Sequence, residues 1–478
     1  MMLSKPTLTL LGALLLAGCA GIPAGQADLY YGFTRIDPDT RTSIPAAWLV
    51  VRDGHIVQAG RGPLPTGNFR RHDRSGLYAL PGLIDAHAHI LAGPFAVKVE
   101  NGAPLLDFVS ADKFTRFNAA IALAFGVTTV RNPGGATDAA ARYDTMRASG
   151  AWIGPQALHA GRVLQPPPLQ GNSFFQPKSP AQWDEEAARQ KAAGMTYFKL
   201  YHGLTEAELA QGVQAANRHG LIPIAHLETV SWTRGAELGI RQFEHILPIS
   251  PDLLTPQARA HYAPDKPASA GFHQWFALAD YDGPLIQGMI RTLANKNVVV
   301  TPTLMVQDIV YHADDLSGIF PQDDMRFYQP ESFASAKTNY DTLGKLWTQQ
   351  DFADARAAWP KVLDFVTRLH KAGIAMLVGT DGAGGGPIYA RELHNMAQAL
   401  GSNWEVLRMA TSGNADIMGL KNTGRLAPGK EADIVFLRAD PTTDVRNVRQ
   451  VDSVVSDGKA YSFDALVALA QPFAAASP

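Results

Sequence analysis

The strongest constraint on the fold is an alternation repeated along the middle of the chain. Eight short apolar runs bounded by turn residues occur at Leu83–His87, Val127–Arg131, Ala157–Ala160, Tyr197–Tyr201, Ile222–His226, Gln242–Ile246, Val298–Thr303 and Ile374–Thr380. Between most of them lie stretches with helical periodicity, namely Lys113–Phe125, Pro180–Ala193, Thr205–His219, Pro284–Asn295 and Lys361–Ala372. Strand-like runs separated by amphipathic helices read as β/α units around a parallel sheet. Several helical stretches stop on a basic last turn followed by glycine, as in Arg218-His219-Gly220 and His370-Lys371-Ala372-Gly373. Eight such units predict an α/β fold closed as a (β/α)8 TIM barrel, whose active site sits at the C-terminal ends of the strands. An open doubly wound sheet is the alternative.

The flanks have a different period. Leu49-Val50-Val51 meets a turn at Arg52-Asp53-Gly54 and Ile56-Val57 resumes, a hairpin signature. Ala432–Leu437 and Val451–Val455, with a turn at Ser456-Asp457-Gly458-Lys459, repeat that character at the far end. The expected organisation is a small β-sandwich domain formed by the N- and C-terminal segments, 28–78 and 421–470, around a barrel over 79–420. Three stretches fall outside the repeat: Pro166 to Pro180, 250–283 and 304–360. Connections this long belong on the rim of the active site, as lids or binding surfaces.

The first residues are read as a targeting segment. Lys5 precedes the apolar run Leu8–Ala17, which is too short to span a bilayer and ends in Leu16-Ala17-Gly18-Cys19. This layout resembles the bacterial lipoprotein signal. The expectation is therefore a signal peptide over 1–18, lipidation of Cys19, a tether over 19–27, and an exported lipoprotein anchored to a membrane, facing the periplasm or the cell exterior. A plainly secreted protein is the alternative. Cys19 is the sole cysteine, so no intramolecular disulfide forms. The net charge of −2, without runs of like charge, excludes nucleic-acid binding through a basic face.

The ends of the expected strands carry the chemistry. The first ends in His87-Ala88-His89, the fifth in His226, the sixth in Glu244-His245 and the eighth in Thr380-Asp381, while Lys199 interrupts the apolar fourth. Alternation along a strand puts His87 and His89 on one side, where two imidazoles can hold one metal ion. Each residue alone has a plainer explanation: a hydrogen-bonded core histidine, a capping aspartate, a buried ion pair for the lysine. A barrel brings all of them to one rim, and five strands converging by coincidence is a poor explanation.

At this point the chain resembles the amidohydrolase superfamily of metal-dependent hydrolases, and in detail its imidazolonepropionase-like and prolidase-like branch. The matching residues are Asp85-Ala86-His87-Ala88-His89, Lys199, His226, Glu244-His245 and Gly379-Thr380-Asp381. Gly126–Arg131 and Thr423–Val435 support the match, and Asn132 departs from the aspartate common at its position. The resemblance implies two divalent metal ions, most plausibly zinc. His87, His89 and Asp381 would hold the first, His226 and His245 the second, and a carboxylated Lys199 would bridge them. It implies hydrolysis of an amide bond of dipeptide or N-acyl amino acid type, in which a metal-bridging hydroxide attacks the carbonyl. Asp381 is then the catalytic general acid/base. Tyr201, His202 and Arg391 are candidates for substrate binding, Arg391 for a carboxylate. A cyclic amide or lactone hydrolase is the nearest alternative. A deaminase fits less well, because Thr229 stands where that class places a glutamate. A surface binding protein that keeps the barrel as scaffold has no use for a filled ligand set. The expected partner is a small-molecule amide or peptide, and a homo-oligomer is compatible with the sequence.

Overall fold

The computed structural model describes residues 26–100, 103–263 and 270–474. The expected signal peptide and the expected lipidation site Cys19 lie outside the described residues. Of the expected tether only its last two residues are described, and Ala27 already opens a strand, Ala27–Asp37. No helix among the described residues is long and apolar enough to cross a membrane.

The barrel strands are Leu83–Asp85, Val127–Asn132, Gln156–His159, Tyr197–Leu200, Ile222–Ala225, Gln242–Glu244, Val299–Thr301 and Ala375–Met376. They pair in parallel in that order. Single parallel bridges complete the circuit, Ala160 with Tyr197 between the third and fourth strands and Ala88 with Gly382 between the first and eighth. Closure is tight because Gly379 has no side chain: a Cβ there would lie 2.4 Å from the His87 nitrogen. The second, fourth and sixth strands are buried throughout, as parallel strands under a ring of helices are. The helices follow from capping chemistry. Glu206–Arg218 starts on a capping box between Thr205 and Glu208, and Pro180–Ala192 starts on the Ser179 hydroxyl with proline at its first position.

Both chain ends share one eight-stranded sheet. Tyr78–Pro81 pairs in parallel with Ala27–Asp37 and antiparallel with Ile434–Leu437, joining the N-terminal strands to the C-terminal ones. One face buries Tyr30, Phe33, Leu49, Ile434 and Phe436, and the other buries Leu29 and Val50. Tyr78–Pro81 runs directly into the first barrel strand through Gly82, where a Cβ would lie 2.0 Å from the Thr128 hydroxyl.

The insertions are more structured than the sequence led us to expect. An antiparallel hairpin, Phe95–Glu100 with Ala103–Phe108, follows the first barrel strand and was not anticipated. The stretch 304–360 is largely helical, with Leu304–Tyr311, Pro330–Leu346 and the start of Gln349–Lys371. The expected helix at Lys361–Ala372 is only the last part of that long element. Proline inside a helix is locally costly, but Ala355 and Ala358 before Pro360 and Val362 and Phe365 after it are all buried, and their packing holds one helix across it.

Candidate metal centre and active site

Side chains from five strand ends gather at the C-terminal mouth of the barrel. His87 and His89 each bring Nε2 to Asp381 Oδ1, at 3.0 and 3.1 Å. One ligand atom from each of these three residues lies within 4.8 Å of the others. Both histidines are fixed from behind. His87 Nδ1 donates to Glu244 Oε2 at 2.6 Å, and His89 Nδ1 donates to the Gly134 carbonyl at 3.2 Å. Tying Nδ1 as a donor leaves the Nε2 lone pair free to face a cation.

Behind His87 lies a charged chain that no solvent reaches. Glu244 and Arg131 are both fully buried, and Arg131 Nη2 donates to Glu244 Oε2 at 2.6 Å. The same guanidinium donates to the Ala86 carbonyl, the Gln242 side chain and Thr301 Oγ1, so it bridges strands one, six and seven. Burial opposes ionisation of Glu244, but the Arg131 charge prevails and holds its carboxyl below the usual range. Asp85 ties the first strand to the eighth: it accepts from Thr380 N at 3.0 Å, Thr380 Oγ1 at 2.7 Å and His87 N at 3.1 Å. Burial pushes its carboxyl up to about 7 against those hydrogen bonds.

The other three expected ligands are placed differently. Lys199 is buried at 3% exposure, and its Nζ makes no hydrogen bond or ion pair with a described residue. Burial brings the amine down to about 8, with Glu244 and Asp381 resisting the shift. His245 packs between His87 and His226, with ring centroids at 4.8 and 4.5 Å, and its Nδ1 is 2.7 Å from Thr303 Oγ1. Burial holds its imidazole well below the ordinary value. His226 is buried with neither ring nitrogen hydrogen-bonded, although Nε2 comes within 3.1 Å of Glu228 Oε1.

These observations test whether divalent metal fits. Three converging ligand atoms, two of them on histidines pre-set by Nδ1 donation, fit a first ion. Unsatisfied nitrogens on a buried histidine are costly unless something else engages them, and His226 next to His245 fits a second. A protonated Lys199 does not ligate, whereas a carboxylated one offers two anionic oxygens. Backbone strain is concentrated here: His245, Thr303 and Asp381, at or just beyond the ends of strands six, seven and eight, have φ of 66°, 45° and 59°. Left-handed conformations outside glycine cluster where function holds them.

A cavity of about 460 Å³ opens on this cluster, lined among others by His87, His89, Lys199, Tyr201, His245 and Asp381. Tyr201 is thus placed where substrate would sit. His202 stands outside the lining, half-buried, with Nδ1 3.8 Å from Glu228 Oε2. Arg391 has to be corrected. Its Nε and Nη2 donate to Asp308 at 2.5 and 3.1 Å and its Nη1 to the Gly318 carbonyl, so the guanidinium fixes the insertion and does not line the cavity. Sequence reading passed over Arg131, Glu244 and Asp85 as positioning groups. Their signal was available, since a charged residue inside a buried strand needs a partner. Glu228, two residues beyond His226, had no such signal.

Residues 288–461 match the family model described as Amidohydrolase family, a span that includes the seventh and eighth strands, Asp381 and the C-terminal sheet strands. Over this C-terminal span the chain is similar to the amidohydrolase family. An imidazolonepropionase from Caldanaerobacter subterraneus subsp. tengcongensis is 34% identical over 55 residues; that match spans 12% of this chain and only 13% of the relative. Among solved structures, a bottromycin amidohydrolase superposes with a TM-score of 0.68 at 18% identity, covering 94% of this chain and 90% of its own. A Xaa-Pro dipeptidase with methionine bound in its active site gives 0.63 at 16% identity, covering 91% and 100%. At these identities the superpositions speak for the fold, a TIM barrel with an attached sheet domain, which is the one described above.

Proposed function

We propose that this protein is an amidohydrolase that cleaves a carbon–nitrogen amide bond at the barrel mouth, with two divalent metal ions as cofactors. The observation that carries the reading is the convergence of His87, His89 and Asp381 from the first and eighth strands onto one point of a cavity. In this reading these three residues hold one ion, and Lys199 in its carboxylated form, with His226 and His245, holds the other. Zinc suits the nitrogen-rich ligand set. When bound, such ions supply a lowered pKa for water and polarise a carbonyl oxygen.

The chain's own residues do the rest. Asp381 keeps 27% of its side chain open to the cavity. It takes the proton of the attacking water and passes it to the leaving nitrogen, which departs as a neutral amine. Glu244 and Arg131 keep the His87 ring in one tautomer and orientation, and Asp85 fixes the main chain on either side of the two ligand strands. Tyr201 faces the reacting carbonyl and orients it. Lysine carboxylation needs the neutral amine, and burial brings that form within reach near neutral pH. From the sequence alone we also propose export as a lipoprotein anchored through Cys19.

The expectation of a dipeptide or N-acyl amino acid came from the resemblance, and Arg391, the candidate for its carboxylate, is committed to Asp308. Amide hydrolysis is retained. The test is a screen of amides with the full chain, with and without chelator and with zinc added back. Hydrolysis lost to chelator and restored by zinc supports the reading; no hydrolysis of any amide under either condition contradicts it.

A further inference from the structure

We propose that the cavity binds an amide whose non-reacting part is apolar and uncharged, without a free carboxylate. This inference rests on the hydrolase reading of the same site and names its substrate class.

Three observations carry it. First, the walls away from the metal cluster are aromatic and aliphatic, with Phe108, Phe174, Phe320, Phe333, Val306 and Ile309 among them. They come from the hairpin, the short strand after the third barrel strand and the helical insertion. The helix Pro330–Leu346 turns Ser332, Phe333, Ala336 and Tyr340 to the cavity, positions that share one helical face. A volume of about 460 Å³ with such walls suits a small organic molecule bound through its apolar surface.

Second, the described lining residues leave no cation free for an anion. Among them, basic nitrogens occur only on His87, His89, Lys199 and His245, all four already in the proposed ligand set, and none is an arginine. Arg391 is held by Asp308, and Arg162 is held by Glu186. A carboxylate placed against these walls, away from the metal cluster, loses its water and meets no described counter-charge.

Third, two hydroxyls at the far wall are neutral and unsatisfied. The Tyr328 hydroxyl and Ser332 Oγ are buried without a hydrogen-bond partner, and both residues line the cavity. Buried hydroxyls left unpaired are rare in folded proteins. A neutral carbonyl, ether or N–H on the ligand satisfies them, and a site built to pair such groups rejects analogues that lack them.

The test uses two compounds that differ only in a carboxylate, N-hexanoyl-2-phenylethylamine and N-hexanoyl-phenylalanine. The zinc-loaded full chain is assayed for kcat/KM, and binding is measured by calorimetry on the Asp381→Asn chain, where turnover does not intervene. The expected result is at least a tenfold preference for the neutral amide in both measurements. In Ser332→Arg, which adds a guanidinium to the far wall, binding of the carboxylate compound should rise at least tenfold. Equal or tighter binding of the carboxylate compound by the native chain overturns the proposal, as does failure of the neutral amide to bind. Tight binding of the neutral amide with no cleavage by the native chain supports this pocket assignment and counts against the hydrolase reading instead.

Discussion

The two halves of the ligand set are built on opposite plans. His87, His89 and Asp381 are brought within 4.8 Å of one another and are braced from behind by Glu244 and the Gly134 carbonyl, with Asp85 pinning the strands that carry them. Lys199 Nζ lies over the Tyr201 ring without a hydrogen bond, and His226 has two nitrogens without hydrogen bonds; of the three, only His245 is tied, through Thr303. The first half is organised by the protein itself. The second carries a buried amine next to two histidines, and in the proposed function carboxylation of Lys199 and a bound ion complete it. The comparison teaches that preorganisation can be divided within one site, with strand closure fixing one position and occupancy fixing the other.

The largest test of this division is Asp381→Asn. It removes the proton carrier and an anionic ligand together, and kcat should fall by about a thousandfold or more, within what general acid/base groups contribute. Next comes Glu244→Gln, which unties His87 and leaves Arg131 without its buried counter-charge. Metal affinity at the first position should drop by about ten- to a hundredfold, and unfolding stability should fall by about 3–5 kcal/mol. Unchanged zinc affinity in this variant would erase the contrast, because bracing from behind is what distinguishes the first half.

A smaller effect should appear in Tyr201→Phe, which keeps the ring against His226 and removes the hydroxyl. A loss in kcat/KM of about tenfold, with metal content unchanged, separates substrate orientation from ligand support. The smallest is a pH effect on the second half. Glu392 accepts from Leu304 N and Met305 N, just beyond the Thr303 that holds His245, and burial pushes its carboxyl up to about 8. A carboxyl with a raised pKa in the fold stabilises most below its unfolded value and loses that contribution as pH rises toward 8. Thermal unfolding of native protein should therefore fall in Tm across that window, and Glu392→Gln should flatten the fall. A Gln variant with an undiminished slope places the titrating group elsewhere.

The barrel was legible because each of its strands is a short apolar run with a turn at either end, and because the ligands stand at strand ends where closure alone brings them together. The hairpin from Phe95 to Phe108 was not legible, since its register depends on cross-strand partners and Pro104 argues locally against a strand. The long helix through Pro360 failed for a related reason: tertiary burial on both sides of the proline outweighs its local cost. Arg391 was misjudged because an arginine near a site shows its charge in the sequence and not the Asp308 that neutralises it. The apolar walls were invisible for the same cause, as Phe108, Phe320 and Phe333 lie far apart in the chain and meet only in the fold.

The most direct measurement is the metal content of purified full-length protein by elemental analysis, native beside Lys199→Ala. The account predicts two ions per chain in the native protein and one in the variant, retained at His87, His89 and Asp381. One ion per native chain, unchanged in Lys199→Ala with activity intact, would contradict it.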